Sequence, residues 1–177
     1  GFDPTYPIPS AEDVDLSFRL ARQGHRLVFV PQARVWHRHP VSLGTYLTRK
    51  GLYGFWRALL YLRYPDKQGG DAHTDPALKK QFVLVALASL AGLGGLVWWP
   101  LTIGAAALLV IFWLTTLPFV RWAWSRDPAV ALAWPLVMLL RMLIQGAGLA
   151  VGLVYHRLVT RRHPTASEQA KTTHHGE

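Results

Sequence analysis

The chain has 177 residues, no cysteine, and 19 lysines and arginines against 10 aspartates and glutamates, which gives a formal net charge of +9. Without cysteine, disulfides and thiolate chemistry are excluded. The positive charge would suit nucleic acid, anionic lipid or phosphorylated substrates, but the basic residues mostly flank apolar segments, which argues against nucleic acid.

Residues 1–41 combine a proline-rich loop, a short helix and a short strand. Ser10 is the predicted N-cap of the helix, with Asp13 as its acidic partner, and Gly24 is the predicted stop. The run "RLVFV" at 26–30 predicts a buried strand. The segment opens without an initiator methionine or a signal-peptide pattern, so we expect it to continue from an upstream part of the protein.

Residues 42–65 form a predicted amphipathic helix at the membrane interface. At helical periodicity an apolar face carries Leu52, Phe55, Leu59 and Leu62, and the roughly opposite face carries Arg49, Lys50 and Arg57. Such a helix suits the boundary between lipid and water. The alternative is a helix packed on a soluble domain with its basic residues in solvent. Residues 66–80 are a predicted polar linker.

Residues 81–156 are predicted to be an α-helical transmembrane region. No charged side chain occurs from Gln81 to Val120, which is long enough for two spans of about 20 residues. We place these spans at 82–99 and 101–120, with Pro100 in the turn. Basic residues flank the pair on both sides, and positive charge favours the cytoplasm. Both ends of the hairpin are therefore expected in the cytoplasm.

A third apolar stretch, 129–155, is either a span or a re-entrant element. It is interrupted by Arg141, which at the centre of a bilayer would cost about 2.5–3.5 kcal/mol. Basic residues also follow it, so a single crossing would oppose the charge bias. The remaining residues, 157–177, are predicted to be a basic polar tail.

The acids and histidines of residues 1–41 have simple structural explanations when each is considered alone. Asp13 in a first helical turn can offset the helix dipole. Asp15 and Arg19 have the spacing of a helix-surface ion pair. His37 and His39 are the kind of polar residues found in a turn after a strand, and they do not complete a metal-ligand pattern.

Taken in order, the motifs of this region resemble the C-terminal half of the catalytic domain of family 2 glycosyltransferases, inverting enzymes with the GT-A fold. The matching segments are Gly1-Phe2-Asp3, Glu12-Asp13-Val14-Asp15-Leu16, Arg19, Gly24-His25-Arg26, Val28-Phe29-Val30-Pro31 and Val35-Trp36-His37. Both their order and their spacing follow the family pattern, although Pro4 replaces an acid that is usual there. The resemblance implies an α/β fold over 1–41, as the C-terminal portion of a partial GT-A fold, followed by the transmembrane helices.

The resemblance also implies roles for individual residues. Asp13 falls on the catalytic base, which would take the proton of an acceptor hydroxyl as that oxygen attacks the anomeric carbon of a nucleotide sugar. Glu12 would support Asp13, and the acceptor-side loop would comprise Gly1, Phe2, Asp3 and Asp15. His37 would be a ligand of a divalent metal, Mg or Mn. Most ligands of that metal, with the Asp-x-Asp motif, belong to a nucleotide-binding half that the sequence lacks, so this sequence alone is expected to be inactive.

The expected partners are therefore a nucleotide-sugar donor, a membrane-associated or lipid-linked acceptor, and membrane lipids. Arg49, Lys50 and Arg57 are candidate contacts to a phosphate or a lipid headgroup. The predicted location is a bacterial inner membrane with the catalytic part in the cytoplasm. The alternative is a non-catalytic membrane anchor or interaction module derived from such an enzyme. A metal-handling membrane protein that uses the scattered histidines is disfavoured, because the apolar spans lack acids and histidines for an ion path.

Overall fold

The computed structural model describes residues 1–36, 41–67 and 75–162. In these ranges the chain forms five α-helices and one 3-10 turn, Pro65–Lys67. The helices are α1 (Glu12–Arg22), α2 (Leu43–Arg63), α3 (Pro76–Gly94), α4 (Pro100–Trp124) and α5 (Pro128–Arg162).

Side-chain caps and proline fix the starts of the long helices. The Ser42 hydroxyl accepts a hydrogen bond from the Thr45 N–H at the start of α2, and Asp75 accepts one from the Ala77 N–H at the start of α3. Asp127 accepts from two N–H groups in the first turn of α5. The helices α3, α4 and α5 each begin with a proline, which fits a first helical position because no hydrogen-bonding N–H is lost there.

Three helices, α3, α4 and the Pro128–Val159 part of α5, are long and apolar enough to cross a membrane. They are consistent with a membrane protein. An antiparallel hairpin is formed by α3 and α4, since Gly94 lies against Leu101 at one end and the Gln81 amide donates to the Thr115 hydroxyl at the other. A core of Val85, Phe112, Met138 and Met142 joins this hairpin to α5.

The helices α2 and α5 pack closely against each other at positions occupied by glycine. A Cβ atom added at Gly54 would collide with the backbone carbonyl of Gln145, and one added at Gly148 would collide with the carbonyl of Gly51. Gly152 has the same relation to Phe55. Small residues let two helix backbones approach closely, which is how helices commonly associate in membranes. These glycines therefore hold α2 along the C-terminal half of α5.

The predicted α/β fold is wrong for the part of the chain that the structure describes, which contains helices and turns but no strand or sheet. The expected strand at 26–30 is irregular and exposed, with Phe29 at 86% of its full exposure and Val28 at 73%. A strand needs a neighbouring strand to receive its N–H and C=O groups. None of the described segments pairs with 26–30, so the β-like pattern alone does not produce a strand.

Candidate active site

The first turn of α1 presents two neighbouring carboxylates. The Glu12 Oε2 atom accepts a hydrogen bond from the Ser10 N–H at 2.6 Å, and the Asp13 Oδ1 atom accepts one from the Val14 N–H at 2.8 Å. The predicted Ser10 cap is wrong, because the N-cap is Ala11 and it makes no side-chain hydrogen bond. Glu12 rather than Asp13 holds the preceding loop, and Asp13 stays exposed.

An apolar contact docks this turn onto α2. Tyr6 and Ala11 are buried against Leu59, with Trp56 packed beside them. The rings of Tyr6 and Trp56 have their centroids 5.6 Å apart. The contact places the start of α1 beside α2, although the two are far apart in the sequence.

An open pocket of about 260 Å³ lies between the start of α1 and α2, lined by Pro9, Ser10, Glu12, Asp13, Arg49, Lys50 and Tyr53. Two predicted catalytic carboxylates thus share one pocket with two predicted phosphate-binding cations. In the part of the chain that the structure describes, no ion pair joins the acids to the cations. The arrangement offers a proton acceptor and positive charge to one ligand.

Lys50 is only partly exposed at this pocket. Burial, together with the positive charge of Arg141 on α5, lowers the pKa of Lys50 below its ordinary value. The Lys50 ammonium lies 5.4 Å from the ring centre of Tyr46 and 5.8 Å from that of Tyr53, distances at which a cation is attracted to an aromatic face. The attraction to these two rings offsets part of the free energy that the Lys50 ammonium loses when burial removes its hydrating water.

Arg57, the third predicted phosphate contact, does not line the pocket. It is buried, and its Nη1 atom donates a hydrogen bond to the Tyr53 hydroxyl at 2.7 Å. Its Nε atom lies 3.4 Å from the Tyr61 hydroxyl oxygen. Since Tyr53 does line the pocket, Arg57 orients a pocket side chain. Tyr53 was missed as a site residue in the sequence, although its place one turn after Arg49 and Lys50 puts all three on neighbouring positions of a helix face.

Asp15 and Asp3 lie in an ion network rather than in the pocket. Asp15 is fully buried and accepts hydrogen bonds from Arg19 at 2.9 Å and from the Tyr64 hydroxyl at 3.1 Å. The Arg63 Nη1 atom lies 2.6 Å from Asp3 Oδ2 and 3.5 Å from Asp15 Oδ1. The network ties the loop and α1 to the C-terminal end of α2.

The titration of the network follows from these contacts. Burial would raise the pKa of Asp3, but hydrogen bonds from Thr5 and Arg63 outweigh it and lower the pKa to about 2. Burial would lower the pKa of Arg63, but the hydrogen bond and charge of Asp3 raise it. Burial and the Asp15 charge raise the pKa of Tyr64. These shifts keep Asp3 ionised, Arg63 charged and the Tyr64 hydroxyl protonated at neutral pH.

The other predicted loop residues contribute little to the pocket. The Gly1 carbonyl accepts a hydrogen bond from Arg19 at 2.7 Å, and Phe2 is exposed. The predicted metal ligand, His37, lies outside the described residues. Among the residues that are described, no group of three histidine, aspartate or glutamate side chains could hold a metal ion.

The described part of the chain is thus helical and consistent with a membrane protein, and it has an open pocket lined by acidic and basic side chains between α1 and α2. Over 67 residues the chain is 46% identical to the pre-mycofactocin glycosyltransferases of two Mycobacterium tuberculosis strains, CDC 1551 / Oshkosh and ATCC 25618 / H37Rv. The match covers 38% of this chain and 14% of each relative. No family model and no solved structure matches the chain. The similarity supports a relationship to glycosyltransferases.

Proposed function

We propose that this chain is the C-terminal part of a membrane-bound inverting glycosyltransferase of the family 2 type. It would transfer a sugar from a nucleotide-sugar donor to a hydroxyl group of a membrane-associated acceptor. The observation that carries this proposal is the single pocket that Glu12 and Asp13 line together with Arg49 and Lys50. The partial similarity to known glycosyltransferases supports the same class of reaction.

In the proposed step Asp13 is the general base. Its carboxylate takes the proton of the acceptor hydroxyl while that oxygen forms a bond to the anomeric carbon, and the bond from that carbon to the diphosphate breaks with inversion. Asp13 suits the role because it is exposed at the pocket and a backbone N–H fixes one of its oxygens. The Glu12 carboxylate accepts the Ser10 N–H and supports the loop.

The leaving diphosphate would be stabilised mainly by Arg49, and Lys50 would supply positive charge beside it. Charge-assisted hydrogen bonds from such cations to phosphate oxygens are among the stronger polar interactions in proteins. They also become stronger as negative charge develops on the leaving group, so they favour the transition state over the bound donor. We also propose that a divalent metal, Mg or Mn, with His37 as one ligand, would supply further positive charge to the diphosphate when bound.

Substitution of the base tests the proposal. In the full-length protein, Asp13→Asn should lower sugar transfer by about 100-fold or more, because a general base typically contributes a factor of 10² to 10⁴. Release of nucleoside diphosphate from a panel of nucleotide sugars, in the presence of membrane extract as acceptor, measures the rate.

Two further variants act as controls. Glu12→Gln should have a milder effect than Asp13→Asn. Asp66→Asn should leave transfer unchanged, since Asp66 pairs with Arg22 outside the pocket. Wild-type turnover by Asp13→Asn would overturn the assignment, and absence of turnover by the wild type with any donor would favour the membrane-anchor alternative.

We also propose that the pocket faces the cytoplasm of a bacterial inner membrane, where nucleotide sugars are made. The basic residues at both ends of the α3–α4 hairpin then lie on the cytoplasmic side. Cysteines introduced at Thr102 and Ser125, which are both exposed near opposite ends of α4, would test this. An impermeant thiol reagent applied to intact cells should label position 102 and spare position 125, and the reverse pattern would contradict the topology.

A further inference from the structure

A positive pair, Lys50 and Arg141, lies where α2 packs on α5. The neighbouring residues Gly51 and Ile144 are in contact, with 3.1 Å between an added Gly51 Cβ and the Ile144 side chain. The two cations are near enough for the charge of Arg141 to disfavour the charged form of Lys50. Like charges at such a contact oppose helix packing unless something compensates them.

The described side chains do not supply that compensation. The Nε atom of Arg141 is buried and has no hydrogen-bond partner in the part of the chain that the structure describes. Its Nη1 atom reaches only the Met138 sulfur, at 4.0 Å, and a thioether is a weak acceptor. In the same described ranges no carboxylate forms an ion pair with Lys50 or Arg141. Within residues 1–36, 41–67 and 75–162, the pair thus lacks a negative partner.

The surroundings indicate the chemistry of the missing partner. Arg141 belongs to a helix that is apolar and long enough to cross a membrane, where a charged side chain marks a functional site by default. Lys50 also lines the pocket that holds Glu12 and Asp13. An anion that meets both cations must therefore approach beside apolar helices and end near a polar pocket. A phosphate group attached to a lipid has both properties.

We propose that Lys50 and Arg141 bind the phosphate monoester of a lipid at the contact between α2 and α5, with Arg49 at its pocket side. The phosphate offers several acceptor oxygens, enough for the free guanidinium N–H groups and the ammonium. If the proposed function holds, this phosphate belongs to the acceptor, whose separate hydroxyl group receives the sugar, whereas binding itself is measured without any transfer. Failure of one proposal is therefore distinguishable from failure of the other.

Lipid binding by the full-length protein in phosphatidylcholine nanodiscs tests the site, with phosphatidic acid as the lipid probe. Arg141→Gln and, separately, Lys50→Gln should each weaken phosphatidic acid binding by about tenfold or more, the loss expected for one charge-assisted hydrogen bond. Arg141→Lys should restore part of the affinity. The matched control is Arg121→Gln, because Arg121 is an exposed basic residue near the end of α4.

The outcomes separate a lipid phosphate from a soluble one. Glycerol 3-phosphate carries the same monoester without the acyl chains, and it should compete poorly with phosphatidic acid. If it binds as tightly and depends equally on Arg141, the site belongs to a soluble phosphate and the lipid is ruled out. If both glutamine variants bind phosphatidic acid as the Arg121→Gln control does, the site does not exist. If Arg141→Gln prevents folding, Lys50→Gln still tests the site, because position 50 lies in α2 and the substitution leaves α5 unchanged.

Discussion

The two halves of α2 carry similar basic side chains, but these side chains have carboxylate partners only in the C-terminal half of the helix, as far as the structure describes the chain. In the C-terminal half, Arg63 lies between the carboxylates of Asp3 and Asp15, 2.6 Å and 3.5 Å away. In the N-terminal half, Arg49 and Lys50 line an open pocket, and no carboxylate of the described residues forms an ion pair with either of them.

This difference separates charge that builds the fold from charge that is available to a ligand. Arg63 has its negative partners within the chain, one of them fully buried, so its charge is already neutralised. Arg49 and Lys50 have none in the same described ranges, although Glu12 and Asp13 line the same pocket. We therefore expect stability to depend on the C-terminal half and ligand binding on the N-terminal half.

The largest effect on stability is expected at Asp15. The change Asp15→Asn removes a fully buried carboxylate that accepts hydrogen bonds from Arg19 and Tyr64, and the loss of hydrogen bonds to a buried charged group costs about 3 kcal/mol. The free energy of unfolding, measured by denaturant titration of tryptophan fluorescence, should fall by that amount.

A surface acid provides the matched control for Asp15. Asp66→Asn removes an ion pair with Arg22 in which both side chains are 54% exposed, and such a pair contributes at most about 1 kcal/mol. Equal effects of Asp15→Asn and Asp66→Asn would show that the buried network does not stabilise the C-terminal half of α2.

A smaller effect is expected at Gly54, where the two halves of α2 meet along α5. The change Gly54→Ala places a Cβ atom against the backbone carbonyl of Gln145, and overpacking of this kind costs about 2 kcal/mol. Gly44→Ala is the control, because nothing lies within 4 Å of its added Cβ. Alanine favours a helix over glycine, so the control should be neutral or stabilising. A neutral Gly54→Ala would contradict the close packing of α2 on α5.

The helices were predictable from the sequence because their hydrogen bonds are local. The charge-free run and its proline indicated two apolar helices, and α3 and α4 occupy it with a turn just before Pro100. The strand at 26–30 was not predictable from its β-like pattern, because a strand depends on partners elsewhere in the chain. The start of α1 was predicted only approximately, since Glu12 and not Asp13 receives the Ser10 N–H.

The site could be predicted only as separate residues. The order of the motifs around Glu12 and Asp13 marked them as candidates, and the helical pattern of α2 marked Arg49 and Lys50. Their common pocket depends on the contact of Tyr6 with Trp56 and Leu59, and residue spacing says nothing about that contact. The effect of the Arg141 charge on Lys50 likewise depends on how α2 packs on α5.

The division of α2 into a structural half and a binding half is tested most directly by the double variant Arg49→Gln/Lys50→Gln in the full-length protein. Its kcat/KM for sugar transfer should fall by about tenfold or more, the loss expected for one charge-assisted contact to phosphate. Its unfolding free energy should match that of the wild type, with Arg121→Gln as a control that changes neither quantity. An unchanged kcat/KM in the double variant would contradict the account.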